Sequence, residues 1–289
     1  MATSDEASFR SENSHKIAMT DIAIIMVSHN KIVDGCLASV RRAREASELS
    51  THFVLVDNAS TAFDAHELAK LEMQDAVVIR RDENAGFGHS CNRGAQEMES
   101  DYLFFLNPDT ILTDEKVLAS LHARMKKQPQ LGIIAPQVLH FSGEHQETCR
   151  RFPRWYMPVV QRTRFGNSTF GQRYADAFLM RDVDHRRPRL IDWAQGSALF
   201  ISRTLFEELG GFDKRFWMYF EDIDLCRRAW NLGRPVCYDP RVQLQHAYGK
   251  ASAGNGVGHI QNLLSNRAAR AHLVSWLKYQ WKWRGDHVV

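Results

Sequence analysis

The sequence predicts an α/β fold, a mainly parallel central sheet with helices on both faces, followed by a C-terminal helical extension. Three observations lead there. Apolar runs of strand length, such as IAIIMV (Ile22–Val27) and YLFFL (Tyr102–Leu106), alternate with segments of helical periodicity. Near-continuous runs of this kind suit strands covered on both faces. The chain has 289 residues, 44% hydrophobic and 25% charged, which is enough to bury the core of one large domain.

The elements follow in order. DIAIIMVSHN is a buried strand ending at Ser28, His29 and Asn30. Ile32 to Leu49 reads as a helix with an Arg-rich outer face. THFVLVDNAST is a second strand ending at Asp57, Asn58 and Ser60, and Phe63 to Met73 reads as a helix. AVVIRRDENAGFGHSCNRGAQ carries a third strand, a Gly-rich turn and a helix to about Met98. DYLFFLNPDT is a fourth strand, which Pro108 stops from continuing as a central one. A helix from Glu115 to Gln128 and a fifth strand, LGIIAPQVL, come next. Residues 150–190, rich in Arg and aromatics with weak periodicity, read as an irregular surface insert. IDWAQGSALFIS resumes strand character, and TLFEELGGF is a short helix ended by Gly210 and Gly211. Glu221 to Asn231 reads as a helix closed by Gly233; strand and loop follow to Ser252, then a basic, Trp-rich helix from Asn262 to Trp283. This divides the chain into a polar, disordered lead (1–19), a main domain (20–260) with halves at 20–140 and 190–260, and a C-terminal segment (261–289).

Composition narrows the function. A net charge of +3 makes no call for nucleic acid, and acids at the presumed site speak against it. The apolar runs are too short to span a bilayer, and residues 1–19 lack a signal-peptide apolar stretch. Five scattered cysteines without a CxxC pair point to a reduced, cytoplasmic protein with no zinc site.

Ligands of open parallel sheets bind beyond the carboxyl ends of the strands. Polar groups gather there: Ser28, His29 and Asn30; Asp57 and Asn58; Asn84, Gly86 and Gly88; Asn107 and Asp109. Turn chemistry explains any one cluster; four together suggest a nucleotide site. Neither GxGxxG nor GxxxxGK[ST] is present, yet the Gly-rich turn lets backbone N–H groups approach a phosphate. Asn107 and Asp109 are hard ligands for Mg²⁺ or Mn²⁺ shared with substrate phosphates, and equally the makings of an Asx turn. His246 is either a structural histidine or a nitrogen ligand that favours Mn²⁺; Lys250 and Ser252 nearby are phosphate-compatible.

FWMYFEDIDLCRRAW (Phe216–Trp230) brings Glu221, Asp222 and Asp224 into the first turn of a helix behind bulky aromatics. Acids there gain ~0.3–1 kcal/mol each from the helix dipole, and Asp224 has Arg228 at i+4. Neither accounts for the aromatic setting, which partly desolvates an acid and raises its pKa toward that of a useful general base.

These motifs, IIMVSHN, VLVDNAST, NAGFGHSCNRG, FFLNPDT, WAQGSALFISRTLFEELGGFD, FWMYFEDIDLCRRAWNLG and HAYGKAS, occur in an order that resembles family two of the inverting GT-A glycosyltransferases, in its bacterial rhamnosyltransferase-like branch. The resemblance covers about Asp21 to Ser252. It implies a Rossmann-like GT-A sheet with a nucleotide-sugar half and an acceptor half. It implies that Ser28, Asn30, Asp57, Asn58, Asn84, Gly86, Arg93 and Asn107 line the donor pocket, with Asp57 on a pyrimidine base. Asp109 and His246 would hold a divalent metal, Mg²⁺ or Mn²⁺; Asn107 replaces the first acid of the Asp-x-Asp motif, which lowers the charge offered to it. Asp222 would be the catalytic base, and Trp193, Gly196, Ser197, Glu221 and Asp224 would meet the acceptor and sugar, or, for Glu221 and Asp224, hold Asp222 in place. The donor it implies is dTDP-rhamnose, ahead of UDP-hexose, UDP-N-acetylhexosamine and UDP-galactofuranose. The acceptor is a glycan or polyprenyl-diphosphate-linked saccharide of surface polysaccharide synthesis, such as lipopolysaccharide O-antigen. LVSWLKYQWKWR (Leu273–Arg284) suits the inner face of a membrane, or packs on the domain or on a second copy in a homodimer. A nucleotidyltransferase would carry a Gly-rich basic loop where SHNKIVDG stands, and a non-catalytic binding module would have no need of Asp222.

Overall fold

The computed structural model describes residues 20–32, 35–62, 67, 76–157, 160, 164–247 and 266–285. The lead, nearly all of the expected helix at 63–73, and Lys250 and Ser252 lie outside the described residues.

Eleven strands and seven helices are described. The strands are β1 (Thr20–Ser28), β2 (Thr51–Asp57), β3 (Ala76–Arg80), β4 (Ser100–Leu106), β5 (Thr110–Leu112), β6 (Ile133–Leu139), β7 (Cys149–Arg150), β8 (Arg189–Ile191), β9 (Trp193–Ala194), β10 (Ala198–Ser202) and β11 (Val236–His246). The helices are α1 (Cys36–Glu45), α2 (Phe87–Ala95), α3 (Val117–Lys127), α4 (Thr169–Phe178), α5 (Arg203–Glu208), α6 (Glu221–Asn231) and α7 (Arg267–Lys282).

The main sheet runs β3-β2-β1-β4-β10-β6-β11-β5, with β8 also on β11. β3, β2, β1 and β4 are parallel, as are β6 and β11. The period of two in β1 divides its side chains between two cores. Ile22, Ile24 and Met26 pack with α1 and α3; Ala23, Ile25 and Val27 pack with α2, α5, α6 and Tyr279 of α7. Helices thus cover both faces, as expected. Each fully buried chain such as Phe104 or Phe105 contributes about 1.5–3 kcal/mol.

Two expectations are corrected. IDWAQGSALFIS is three short strands rather than one, and β10 lies antiparallel between β4 and β6, which separates the fourth and fifth expected strands. Ala198 to Ile201 are buried on both faces, so this segment can only be central. The 150–190 insert is not irregular throughout: it contains α4, capped by Ser168, whose side chain accepts from Gly171 N, and anchored by Phe178 stacked on Tyr174. In β11, the register shifts between Asp239 and Gln243, around Pro240, where a proline is tolerated. The two halves of β11 can therefore pair with β8 and β5 in turn and bring His246 to the site.

Candidate active site

The carboxyl ends of β1 and β2 and the turn before α2 form one rim. Asn58 ties it together: its Nδ2 donates to Asn84 Oδ1 at 2.9 Å, and its Oδ1 accepts from Ala85 N and Ser90 Oγ. Asn30, in the left-handed region, accepts from Thr61 N and Ala62 N. Ser28 Oγ donates to the Lys31 carbonyl. These side chains shape the rim by bonding to each other. Asp57 differs. Ser60 N donates to its Oδ1, while Oδ2 is buried and accepts no hydrogen bond, with Arg80 Nε 3.6 Å away.

Gly86, with φ of 90°, allows the rim to touch the opposite half: a Cβ there would stand 1.8 Å from the Trp217 carbonyl oxygen. Phe87 N donates to that carbonyl, and Trp217 Nε1 donates to the Asn84 carbonyl. Arg93, expected in the pocket, lies in the last turn of α2 and pairs with Glu97 at 2.6 Å. A helix that starts at a strand's carboxyl end runs back along the sheet, so its last turn is carried away from the site.

The Asn107-Pro108-Asp109 turn joins β4 to β5, and Asn107 N donates to the Ser197 carbonyl. Asp109 and His246 meet here: Nε2 is 2.9 Å from Asp109 Oδ1, which is buried and accepts no hydrogen bond. Gln146, buried between β6 and β7, sets the ring. Its Nε2 donates to the His246 carbonyl at 2.6 Å and contacts the Leu139 carbonyl, so its Oε1 is the atom that faces His246 Nδ1 at 3.1 Å. Nδ1 therefore donates to Gln146, which leaves Nε2 as the ring atom turned toward Asp109, the orientation a metal ligand needs. Among the described residues no group of three or more His, Cys, Asp and Glu converges. One carboxylate and one oriented imidazole fit a divalent cation whose remaining ligands come from substrate phosphates and water.

Across the cleft, Asp222 opens α6. Gly196 N donates to its Oδ2 at 3.0 Å and Ile223 N to its Oδ1 at 2.8 Å. Burial raises its pKa, opposed by those two N–H groups and by the charge of Arg150. The residue as a whole is partly exposed. Glu221 is buried, its Cβ lies against the Gly88 position, and its Oε2 has no hydrogen-bond partner. Burial first, and then the charge of Asp222, push its pKa well up. Of the two, Glu221 is pushed up the further, so on acidification it is the first to take a proton.

Three of the expected residues are buried. Asp224 is fully buried and bound by Arg228 (2.7 Å), Lys282 (2.6 Å) and Trp283 Nε1 (3.0 Å), and so belongs to the packing beneath Asp222. Glu221 is buried against α2. Trp193 is buried, donates to the Arg151 carbonyl and stacks under Arg150, so it backs the wall rather than lining it. Gly196 and Ser197 do lie beside Asp222 and Asn107 respectively.

The turn before α6 is strained. Tyr219 and Phe220 both have positive φ, 65° and 69°, a conformation that costs about 1–3 kcal/mol per residue. α7 holds it: Ser275 Oγ donates to the Met218 carbonyl, His272 packs on Tyr219 and Phe220, and Tyr279 packs on Phe220. Lys282 then bridges Asp213 and Asp224. Sequence reasoning missed Gln146, Arg150 and this clamp. Gln146 leaves no local signal, being an isolated glutamine in a hairpin; Arg150 belonged to an Arg-rich insert in which no one position stood out.

Comparison with known proteins gives the family and the fold. The family described as Glycosyl transferase family 2 matches residues 23–187, more than half of the chain. N-acetylglucosaminyl-diphospho-decaprenol L-rhamnosyltransferase of Mycobacterium tuberculosis is 25% identical over 230 residues, covering 74% of this chain and 72% of that one. Rhamnosyltransferase WbbL of Escherichia coli K12 is 25% identical over 207 residues, 67% and 69% of the two chains. Among solved structures, GalNAc-T7 with UDP, GalNAc and Mn²⁺ superposes with a TM-score of 0.62 at 18% identity, over 93% of this chain and 49% of that one, so this chain spans about half its length. Staphylococcus aureus TarS 1–349 gives 0.52 at 12% identity, over 91% and 72%. At these identities the likeness is one of fold. The chain is a glycosyltransferase of GT-A fold and belongs to glycosyl transferase family 2.

Proposed function

We propose that the protein transfers a sugar, L-rhamnose from dTDP-rhamnose, to a hydroxyl of a glycan or polyprenyl-diphosphate-linked saccharide, with inversion at the anomeric carbon. The acceptor O–H loses its proton to Asp222 as the oxygen attacks from the face opposite the diphosphate. The new C–O bond forms, the bond from the anomeric carbon to the diphosphate oxygen breaks, and the nucleoside diphosphate leaves. Asp57 Oδ2, buried without a hydrogen bond, is the acceptor offered to the imide N–H of thymine or uracil. Asp109 and His246 would hold Mg²⁺ or Mn²⁺, which when bound supplies positive charge to the departing diphosphate. The rhamnose reading rests on the names of the two 25%-identical relatives; a UDP-sugar donor is the alternative, since thymine and uracil present the same imide edge.

The observation that carries the reading is the Asp222 carboxylate, aimed by two backbone N–H groups and raised in pKa by burial. The test is calorimetry with dTDP-, UDP- and GDP-sugars, with Mn²⁺ or with chelator, followed by NMR of the product's anomeric configuration. Metal-dependent binding of dTDP-rhamnose and an inverted product are expected. Retention of configuration, or no binding of any donor by folded protein, would overturn it.

A further inference from the structure

We infer that the outward face of α7 is a docking surface for an anionic lipid bilayer. Every exposed residue of α7 falls on one face: Arg267, Arg270, Val274, Leu277, Lys278 and Trp281. At 100° per residue they occupy an arc of about 100°. Val274, Leu277 and Trp281 are 47%, 53% and 68% exposed, a run of apolar groups that no described residue covers. Arg284 follows in the next turn with its guanidinium 3.7 Å from the Trp281 ring. Residues 266–284 contain no aspartate or glutamate, so the face is cationic throughout.

The structure reassigns the residues that could serve this role. Lys282 and Trp283 turn inward to Asp224 and Asp213, and Trp276 packs on the core, so they are unavailable to a membrane. What remains at the surface is a mixture of long cations, aliphatics and one tryptophan, which matches the boundary between lipid headgroups and acyl chains; of the cations, Arg267 lies over the Trp217 ring and Lys278 donates to the Arg215 carbonyl. A second copy docking through this face about a two-fold axis would set cations against cations. A nucleic-acid backbone would take the arginines but leave Val274 and Leu277 without a role. No helix among the described residues is long and apolar enough to cross a membrane, so the attachment is to its surface. The inner face of the same helix clamps the turn before Asp222. Docking therefore places the base about one helix diameter, ~10 Å, from the bilayer surface. This rests on, and deepens, the reading of a lipid-linked acceptor.

The test is co-sedimentation of the full chain with vesicles of pure phosphatidylcholine, or of phosphatidylcholine and phosphatidylglycerol in equal parts, without donor or acceptor, so that it is independent of catalysis. Circular dichroism confirms folding of each variant. Binding to the anionic vesicles is expected, with at least a tenfold loss for Leu277→Ser/Trp281→Ala and for Arg270→Gln/Arg284→Gln, and little change for the inward Trp283→Phe. No binding by the native chain, or binding indifferent to both outer-face pairs, would overturn the inference. So would dependence on the arginines alone, which would mark a general polyanion site.

Discussion

On the donor rim, Asn58 bonds to Asn84, and Asn30 and Asn58 accept from nearby backbone, all as neutral groups. Across the cleft, Glu221, Asp222 and Asp224 place three acids in one helical turn behind two residues of positive φ, with Glu221 Oε2 unpartnered. The first region is stable by local hydrogen bonding; the second is unfavourable in isolation and is held by α7, more than forty residues further on. The difference shows where strain is kept in this fold. The rim is built from satisfied turns, whereas the acids of α6 are kept partly desolvated by distant packing.

Changes confined to one region should therefore have different consequences. Gly86→Ala strikes their point of contact, where a Cβ would overlap the Trp217 carbonyl. It should cost at least ~3 kcal/mol, read as a large fall in Tm or in soluble yield. Lys282→Met breaks the base side alone by removing a cation from fully buried Asp224, which Arg228 only partly offsets. A loss of about 3 kcal/mol in urea unfolding is expected, with kcat reduced more than donor affinity. Asn58→Ala breaks the rim alone. Asn84 and Ser90 lose a partner, so ~1–3 kcal/mol of stability goes and donor Kd rises while the pH profile keeps its shape. If Lys282→Met and Asn58→Ala gave the same split between kcat and Kd, the contrast between the two sides would fail. Gln146→Leu sharpens it: without Gln146 to fix the His246 ring, Mn²⁺ affinity measured by calorimetry should drop about 10–100-fold, with ~1–3 kcal/mol of stability lost from the stranded buried partners.

Much of this was legible in the sequence because strands and helices alternate and each apolar run ends in turn formers. The start and end of α6 followed from its first-turn acids and Gly233. The place of β10 was not legible, because strand order depends on packing between distant segments and leaves no local pattern. α4 could have been found from Ser168 and the Tyr174/Phe178 spacing, which the surrounding arginines obscured. At the site, the sequence brought together the right acids but not their duties. The ordinary i, i+4 pair of Asp224 with Arg228 was the correct reading of that residue, and only the folded chain shows Glu221 turned into the core.

The central claim is that Asp222 is the base, and Asp222→Asn tests it most directly. Since burial raises its pKa, protonation sets in above the ordinary aspartate range, and kcat/KM of the native chain should fall as pH drops through that pKa. The variant should bind donor with unchanged Kd, lose about 10²–10⁴-fold in turnover and lose that acid limb. A folded Asp222→Asn protein with full turnover and the same pH profile would contradict the account.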